Sequence, residues 1–548
     1  MIIQADIQEK TLGSKLLLKD LSLTLQEKQK VAIIGRNGVG KSTLLGLLSG
    51  TDDEFIGKVQ IKKGTVIGVT RQEHNDVDDM TVLAYILSEL PEYVTLKSTI
   101  DNYPDLISPT EEQLHEYSDA IERFGQLDYY RAEDKVLQEL ERYQIDASKA
   151  NGLVKNLSGG QKRFVELCKI AESHVDLALI DEPTNHMDYI AKAEFITWLA
   201  AAQCAVVMVS HDRDVLAGVD MIIEIKDHKA VLFSGNYDAY LKQNSHSTLQ
   251  GIDQYEIQLK TMANLKKQLQ EANRKKASTS KNPNPFIPMI KRFEKEIAEL
   301  EKTLNKPSFW VDQSSIETEH SKVVEKYDKY KARNIAVKTD SGSGHFQRLL
   351  NVSNLSLGYS VPLFEGVSIM LNTGDRVEIR GRNGAGKSTL IRAILDYANE
   401  KELHQSKSFD GFIEPEPALN VGYYEQEIGS ELLKLSLAEA IKKVYLAVNV
   451  DMNDEKMRGL AHQYLFEPER DLGLALGKLS GGQKARFQLI KMLAGKPNLL
   501  ILDEPTNHLD LPSIEELEKA LLNYSGAILY VSHDNYFRDK LGGEIVQI

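Results

Sequence analysis

The chain has 548 residues, enough for about three to five domains. It is 42% hydrophobic and 27% charged, the balance of a folded globular chain, and its net charge of −14 excludes wholesale coating of nucleic acid while leaving room for a local basic surface. Its two cysteines, Cys168 and Cys204, supply neither a disulfide framework nor a zinc site and read as buried core thiols of a reducing compartment.

The N-terminus, Met1–Asp6, shows no basic stretch leading into an apolar run, so no signal peptide is expected. No apolar run approaches the roughly 20 residues of a membrane span, and a cytoplasmic location follows as the expectation. The first apolar run, Val31–Ile34, has the length of a buried strand. It feeds Gly35-Arg36-Asn37-Gly38-Val39-Gly40-Lys41-Ser42, after which Thr43-Leu44-Leu45 opens a helical pattern. Strand, G-x-x-x-x-G-K-[ST] and helix in that order form a phosphate cradle: the glycines let backbone N–H groups wrap the phosphates, and the helix adds its positive end. Gly35, Asn37, Gly38, Gly40, Lys41, Ser42 and Thr43 are therefore candidate nucleotide-binding residues, with Lys41 reaching the β- and γ-phosphates and Ser42 on Mg²⁺.

Further along come Gln72, an insertion at about 85–125, and Leu157-Ser158-Gly159-Gly160-Gln161-Lys162. Two more strand-sized runs then end at polar motifs. Ala178–Ile180 leads into Asp181-Glu182-Pro183-Thr184-Asn185-His186, and Ala205–Val209 into Ser210-His211-Asp212. A carboxylate at a strand end suits a metal, which places Asp181 on Mg²⁺. Glu182 is the candidate to polarise an attacking water, and His211 to contact the γ-phosphate or that water.

Between about residues 241 and 345 the charge changes sign, to a net +6 against −20 for the rest of the chain. Within Lys260–Arg292 nine basic residues face only Glu271. Tyr255, Leu259, Met262, Leu265, Leu269 and Ala272 follow helical spacing, as do Ile290, Phe293, Ile297, Leu300 and Leu304, with a breaker-rich stretch at 277–285 between them. An antiparallel helical hairpin with a basic tip is predicted, and a basic finger of this kind suits RNA phosphates.

The motifs then return in order. The glycine loop recurs 346 residues later as Gly381, Asn383, Gly384, Gly386, Lys387, Ser388 and Thr389, after the strand Val377–Ile379. Ser480-Gly481-Gly482-Gln483, Asp503-Glu504 (after Leu499–Leu502) and His533 (after Ile528–Val531) each recur at an offset of 322, and Gln426 answers Gln72. The first copy is 32 residues longer between its glutamine and Ser158. The reading is an α/β fold with two nucleotide-binding domains in tandem: 1–240, a helical linker at 241–345, and 346–548.

In this order the motifs resemble the Walker A, Q-loop, signature, Walker B, D-loop and switch histidine of ABC ATPases, over most of the chain. The resemblance implies a P-loop ATPase that hydrolyses ATP to ADP and phosphate with Mg²⁺. Glu182, Glu504, His211 and His533 take the catalytic roles. Ser42, Gln72 and Asp181 stand at one metal, and Ser388, Gln426 and Asp503 at the other. It also implies head-to-tail closure within a monomer. Gly35–Ser42 would pair with Ser480–Gly482 and Gln483, and Gly381–Ser388 with Ser158–Gly160 and Gln161. Members of that family stack adenine on an aromatic residue ahead of the core. Tyr359 suits this role in copy two, whereas the mirrored position in copy one is Gly13, with no aromatic residue nearby.

Gly235–Leu241 leading into a basic helical pair, and the form Asp-Glu-Pro-Thr-Asn-His-(Met/Leu)-Asp, resemble the ABC-F family. That resemblance implies binding of the ribosome, through rRNA and tRNA near the tRNA exit site, with the hairpin reaching toward the peptidyl-transferase centre. Its members act in translation regulation or in ribosomal protection against antibiotics, and Lys306-Pro307-Ser308-Phe309-Trp310 is similar to the protection type. Two other readings stay open at this point: the ATP-binding subunit of a transporter whose membrane protein is a separate chain, and a DNA-associated ABC ATPase.

Overall fold

The structure, a computed structural model, describes residues 1–13, 15–71, 76–105, 110–143, 145–185, 187–278, 285–303, 347–399, 403, 406–425, 428–479, 481–507 and 509–548. By packing, the chain divides into one unit holding both repeats, Met1–Asn236 with the C-terminal portion, and a second unit that begins at Tyr237.

In the first repeat, β1 (Ile3–Leu12), β2 (Lys15–Leu25) and β4 (Ile56–Ile61) form an antiparallel sheet in the order β2-β1-β4. Their alternating sequence, buried at Ile3, Ala5 and Ile7 and exposed between, is what a one-sided sheet requires. The strands β3 (Lys30–Gly35), β5 (Ile67–Val69), β6 (Leu177–Asp181), β7 (Ala205–Val209), β8 (Met221–Lys226) and β9 (Lys229–Ser234) make a sheet ordered β5-β6-β7-β3-β8-β9. All its pairs are parallel except β8 with β9. β6 and β7 are buried along their whole length, which explains their unbroken apolar sequence.

The second repeat is built alike. β10 (Arg348–Gly358), β11 (Pro362–Asn372) and β13 (Lys407–Pro415) are antiparallel, while β12 (Arg376–Arg380), β14 (Val421–Tyr424), β15 (Leu499–Asp503), β16 (Ala527–Val531) and β17 (Glu544–Gln547) form a parallel sheet ordered β14-β15-β16-β12-β17. Each strand expected ahead of a motif is present to within a residue or two.

The 32-residue excess of the first repeat falls on a pair of packed helices, Tyr93–Asn102 and Glu111–Gln126. Tyr103 stacks on Tyr117 at 4.1 Å, Phe124 packs against Tyr93 at 5.6 Å, and Arg123 pairs with Glu92 at 2.8 Å. Cys168 is buried as expected, but Cys204 is only half-buried, because it stands at the solvent end of β7, just before the strand starts.

In the second unit the helices Tyr237–Ala277 and Ile287–Thr303 pack on each other. Met262, Ala272, Ile290 and Ile297, all on the predicted apolar stripes, are buried, and Lys266 pairs with Glu301 at 2.9 Å. The first helix starts well before the apolar pattern does. Its opening turns rest on other contacts, such as Tyr237 stacking on Tyr240 and Asn244 donating to the Tyr240 hydroxyl. Lys267, Arg274, Lys275, Lys276, Lys291 and Arg292 are exposed. Residues 279–284, the centre of the expected tip, and Lys306–Trp310 lie outside the described residues.

Candidate functional site

Two clefts form where the repeats face each other, and each is lined from both sides. The first gathers Asn37, Gly38, Gly40, Lys41, Ser42, Thr43, Asp181, Glu182 and His211 with Gly481 of the other repeat. The second gathers Asn383, Gly384, Gly386, Lys387, Ser388, Thr389, Asp503, Glu504, His533 and Tyr359 with Ser158, Gly159 and Gly160.

Each glycine loop leaves the carboxyl end of a central strand, β3 or β12, and turns into the helix Lys41–Ser49 or Lys387–Ala398. The last glycine of each loop has positive φ, 106° at Gly40 and 103° at Gly386, a conformation that L side chains rarely adopt. At Gly386 a Cβ would also lie 2.8 Å from the Phe364 ring. The lysine amines are held over their loops: Lys41 donates to Gly35 O at 2.9 Å and Lys387 to Gly381 O at 2.8 Å. Ser388 Oγ donates to Asp503 Oδ2 at 3.0 Å, and Ser42 is likewise bonded to Asp181. A hydroxyl and a carboxylate meeting beside a phosphate cradle are the donor set a hard divalent cation takes. Burial raises both aspartates, countered by the serine and the neighbouring lysine.

Glu182 and Glu504 stand one residue past the strand ends with φ of 47° and 50°, left-handed backbone that is strained for glutamate. Their amides are anchored to Val209 O at 2.9 Å and Val531 O at 3.0 Å, so the turn aims the carboxylates into the clefts. Each faces its histidine: Glu182 Oε1 lies 3.5 Å from His211 Nε2, and Glu504 Oε1 3.1 Å from His533 Nε2. Both ring nitrogens of His211 and the Nε2 of His533 are buried without a hydrogen-bond partner among the described residues.

Burial pushes both glutamates up to about 8 and both histidines down to about 3, the nearby lysines opposing the first shift and adding to the second. The signs are opposite. A glutamate that keeps its proton in the folded protein loses stability as pH rises from the unfolded value of 4.5 through about 8. A histidine that stays neutral loses it as pH falls below 6.5. Between pH 6.5 and 8 only the glutamates act, so the melting midpoint of the nucleotide-free protein should fall across that window, by on the order of two to four degrees. In Glu182→Gln/Glu504→Gln the midpoint should stay flat there; an equally steep fall would contradict the assignment.

The signature segments are helix starts. Ser158 caps the helix Gly159–Glu172, and Gly481–Leu493 is its counterpart, so each presents the positive end of a helix. The second approaches the opposite loop so closely that a Cβ on Gly482 would lie 2.8 Å from Asn37 Nδ2. Gln161 behaves differently from its neighbours: its side-chain oxygen accepts from the Ser158 amide at 3.1 Å, closing a capping box. Gln483 is in the first turn of its helix, and neither glutamine lines the clefts. Gln72, Gln426 and Ser480 lie outside the described residues.

Sequence reasoning left out of the site two residues that tie the halves together. Asp188 Oδ1 caps its own helix through Ala191 N at 2.9 Å, while Oδ2 accepts from Asn383 N in the opposite glycine loop at 3.1 Å. Asp510 does the same with Ser513 N at 3.1 Å and Asn37 N at 3.3 Å. Burial alone would raise Asp188, but these two amides outweigh it and hold the carboxyl low. Their offset of 322 was the available signal. At the rim the clefts differ: Tyr359 and Leu363 line the second, and Leu12, Lys15 and Leu17 the first. An aliphatic edge therefore stands where the other cleft has an aromatic ring.

The family model described as ABC transporter matches residues 18–185 and 364–507, once in each repeat and more than half of the chain. The chain belongs to this ABC family. Among the described residues no helix is long and apolar enough to cross a membrane. The chain is 28% identical over 557 residues to the ATP-binding protein YdiF of Bacillus subtilis (strain 168), covering 100% of this chain and 80% of that one. It is 28% identical over 546 residues to the energy-dependent translational throttle protein EttA of Escherichia coli (strain K12), covering 97% and 89%. Both relatives match along nearly the whole of this chain. Among solved structures, the archaeal ribosome recycling factor aABCE1, in complex with the archaeal ribosomal stalk protein aP1, shares the fold with a TM-score of 0.57 at 16% identity, covering 99% of this chain and 87% of that one.

Proposed function

We propose that the chain is a ribosome-associated ABC-F ATPase. ATP with Mg²⁺ at the two clefts holds the halves together, and this closed form binds the ribosome near the tRNA exit site. The interdomain hairpin then reaches toward the peptidyl-transferase centre, and hydrolysis releases the protein. The lysines and serines of the two loops, with Asp181 and Asp503, hold nucleotide and metal; Glu182 and Glu504 orient the water, and His211 and His533 the γ-phosphate. The outcome is translation regulation or protection of the ribosome against antibiotics.

The observation that carries this reading is a helical hairpin with exposed basic side chains, joined in sequence to a unit whose two clefts are each lined by both repeats. Kinship with a protein named as a translational throttle supports it. A transporter subunit would have no use for cationic helices, whereas phosphate-rich RNA rewards them with counterion release. Replacing Lys266, Lys267, Arg274, Lys275 and Lys276 together by glutamine should weaken ribosome co-sedimentation in ATP by about tenfold or more and flatten its salt dependence. Unchanged sedimentation and salt slope would remove the hairpin from the ribosome contact.

A further inference from the structure

The two clefts share their motifs, yet the contacts that cross between the halves behind them are unequal. Lys192, four residues past Asp188, is 4% exposed. It pairs with Asp212 at 2.9 Å and with Asp214, both in the switch segment of its own repeat. Its amine also crosses to the other repeat and donates to the backbone carbonyl of His533 at 3.2 Å. Asp214 crosses too, accepting from Asn535 Nδ2 at 2.8 Å. Burial would lower Lys192, but the two aspartates outweigh it and keep the amine a cation. The residue 322 positions later is Ile514, which is buried and has no donor to offer His211. The positions of Arg213 and Asp214 are likewise taken by Asn535 and Tyr536.

A charged amine fixed by two carboxylates has a set position, and its bond to the carbonyl of residue 533 restrains the backbone that carries the switch histidine. That backbone is tied from the other side as well, since His533 N donates to Glu504 Oε2 at 3.2 Å. We infer that Lys192, which also lines the first cleft beside Asp212, is a positioning residue for the second: supplied by the first repeat, it sets His533 against Glu504 once the halves close. The second cleft therefore hydrolyses in response to full closure, and the first has no such control from the mirrored position.

The inference rests on the ATPase reading, and first-round hydrolysis by rapid quench with γ-labelled ATP tests it in the full chain. Glu182→Gln leaves the second cleft to react, and Glu504→Gln the first; a measurable first round in both parents separates failure of this inference from failure of the ATPase reading. Adding Lys192→Met should slow the Glu182→Gln protein about tenfold, with half-saturating ATP within twofold. In the Glu504→Gln protein, where Lys192 acts only through Asp212 beside His211, the loss should be clearly smaller, about threefold. Lys192→Arg, which keeps charge and donors, should recover most of the rate. Equal losses in both backgrounds would mark a general defect of closure or folding and overturn the inference. So would no loss in either, or a loss that arginine does not recover.

Discussion

Glu182→Gln/Glu504→Gln should accumulate on ribosomes in the presence of ATP, at least about tenfold above the unaltered protein, and hydrolysis should fall by about 10²–10⁴-fold. The substitution keeps the shape of two side chains whose backbone is already held at φ of 47° and 50°, so the turn that aims them survives. What is lost is the carboxylate that faces the histidine and that, in the proposed function, orients water. Each γ-phosphate then persists between a glycine loop and the opposite signature helix, whose positive end is presented to it. Co-sedimentation in ATP, with ADP as the control, measures the effect. A double variant that leaves the ribosome as readily as the unaltered chain would break the link between hydrolysis and release.

The parts of this molecule that were legible in the sequence are those where one strand end serves one motif. β3, β6 and β7 and their counterparts are buried on both faces, so they appear as unbroken apolar runs, and each run stops where the chain must turn polar. The hairpin was legible for a related reason: Met262, Ala272, Ile290 and Ile297 carry its packing at helical spacing. Its first turns were not, because Tyr237, Tyr240 and Asn244 are held by individual aromatic and polar contacts that leave no stripe.

Residues acting across the two halves were the least legible. Asp188 looks like an ordinary helix cap, and only the fold shows its second oxygen on Asn383 N of the other repeat. Lys192 is the one lysine of a mostly apolar helix, Tyr189–Ala201, and nothing in the sequence points it at a carbonyl of the other repeat. Conversely, Gln161 sits inside a motif and invites a ligand role, yet its side-chain oxygen closes a capping box. A motif records which residues recur together; it does not record which atom of each is already engaged.

The same asymmetry gives the second large effect, at Arg213. Its guanidinium donates to Glu518 Oε1 of the other repeat at 2.8 Å, with both side chains 2% exposed, and it lies over the Tyr536 ring. Lys540 holds the other oxygen of Glu518 at 3.0 Å. Breaking one side of a buried pair costs about 3–5 kcal/mol, because the survivor stays desolvated without its partner. Lys540 softens that here, and about 2–3 kcal/mol is expected for Arg213→Met. As 1.4 kcal/mol is a factor of ten, the ATP concentration for half-maximal ribosome retention should rise on the order of a hundredfold in the Glu182→Gln/Glu504→Gln background. The mirrored positions carry no such buried pair: Ile196 stands in place of Glu518, and Asn535, in place of Arg213, is exposed and donates to Asp214 at 2.8 Å. Replacing both, Arg213→Asn with Glu518→Ile, should therefore recover most of the loss, since neither side then buries an unpaired charge. If the double replacement is as damaging as Arg213→Met, the pair contributes specific attraction beyond mutual neutralisation, and the two mirrored arrangements are not interchangeable.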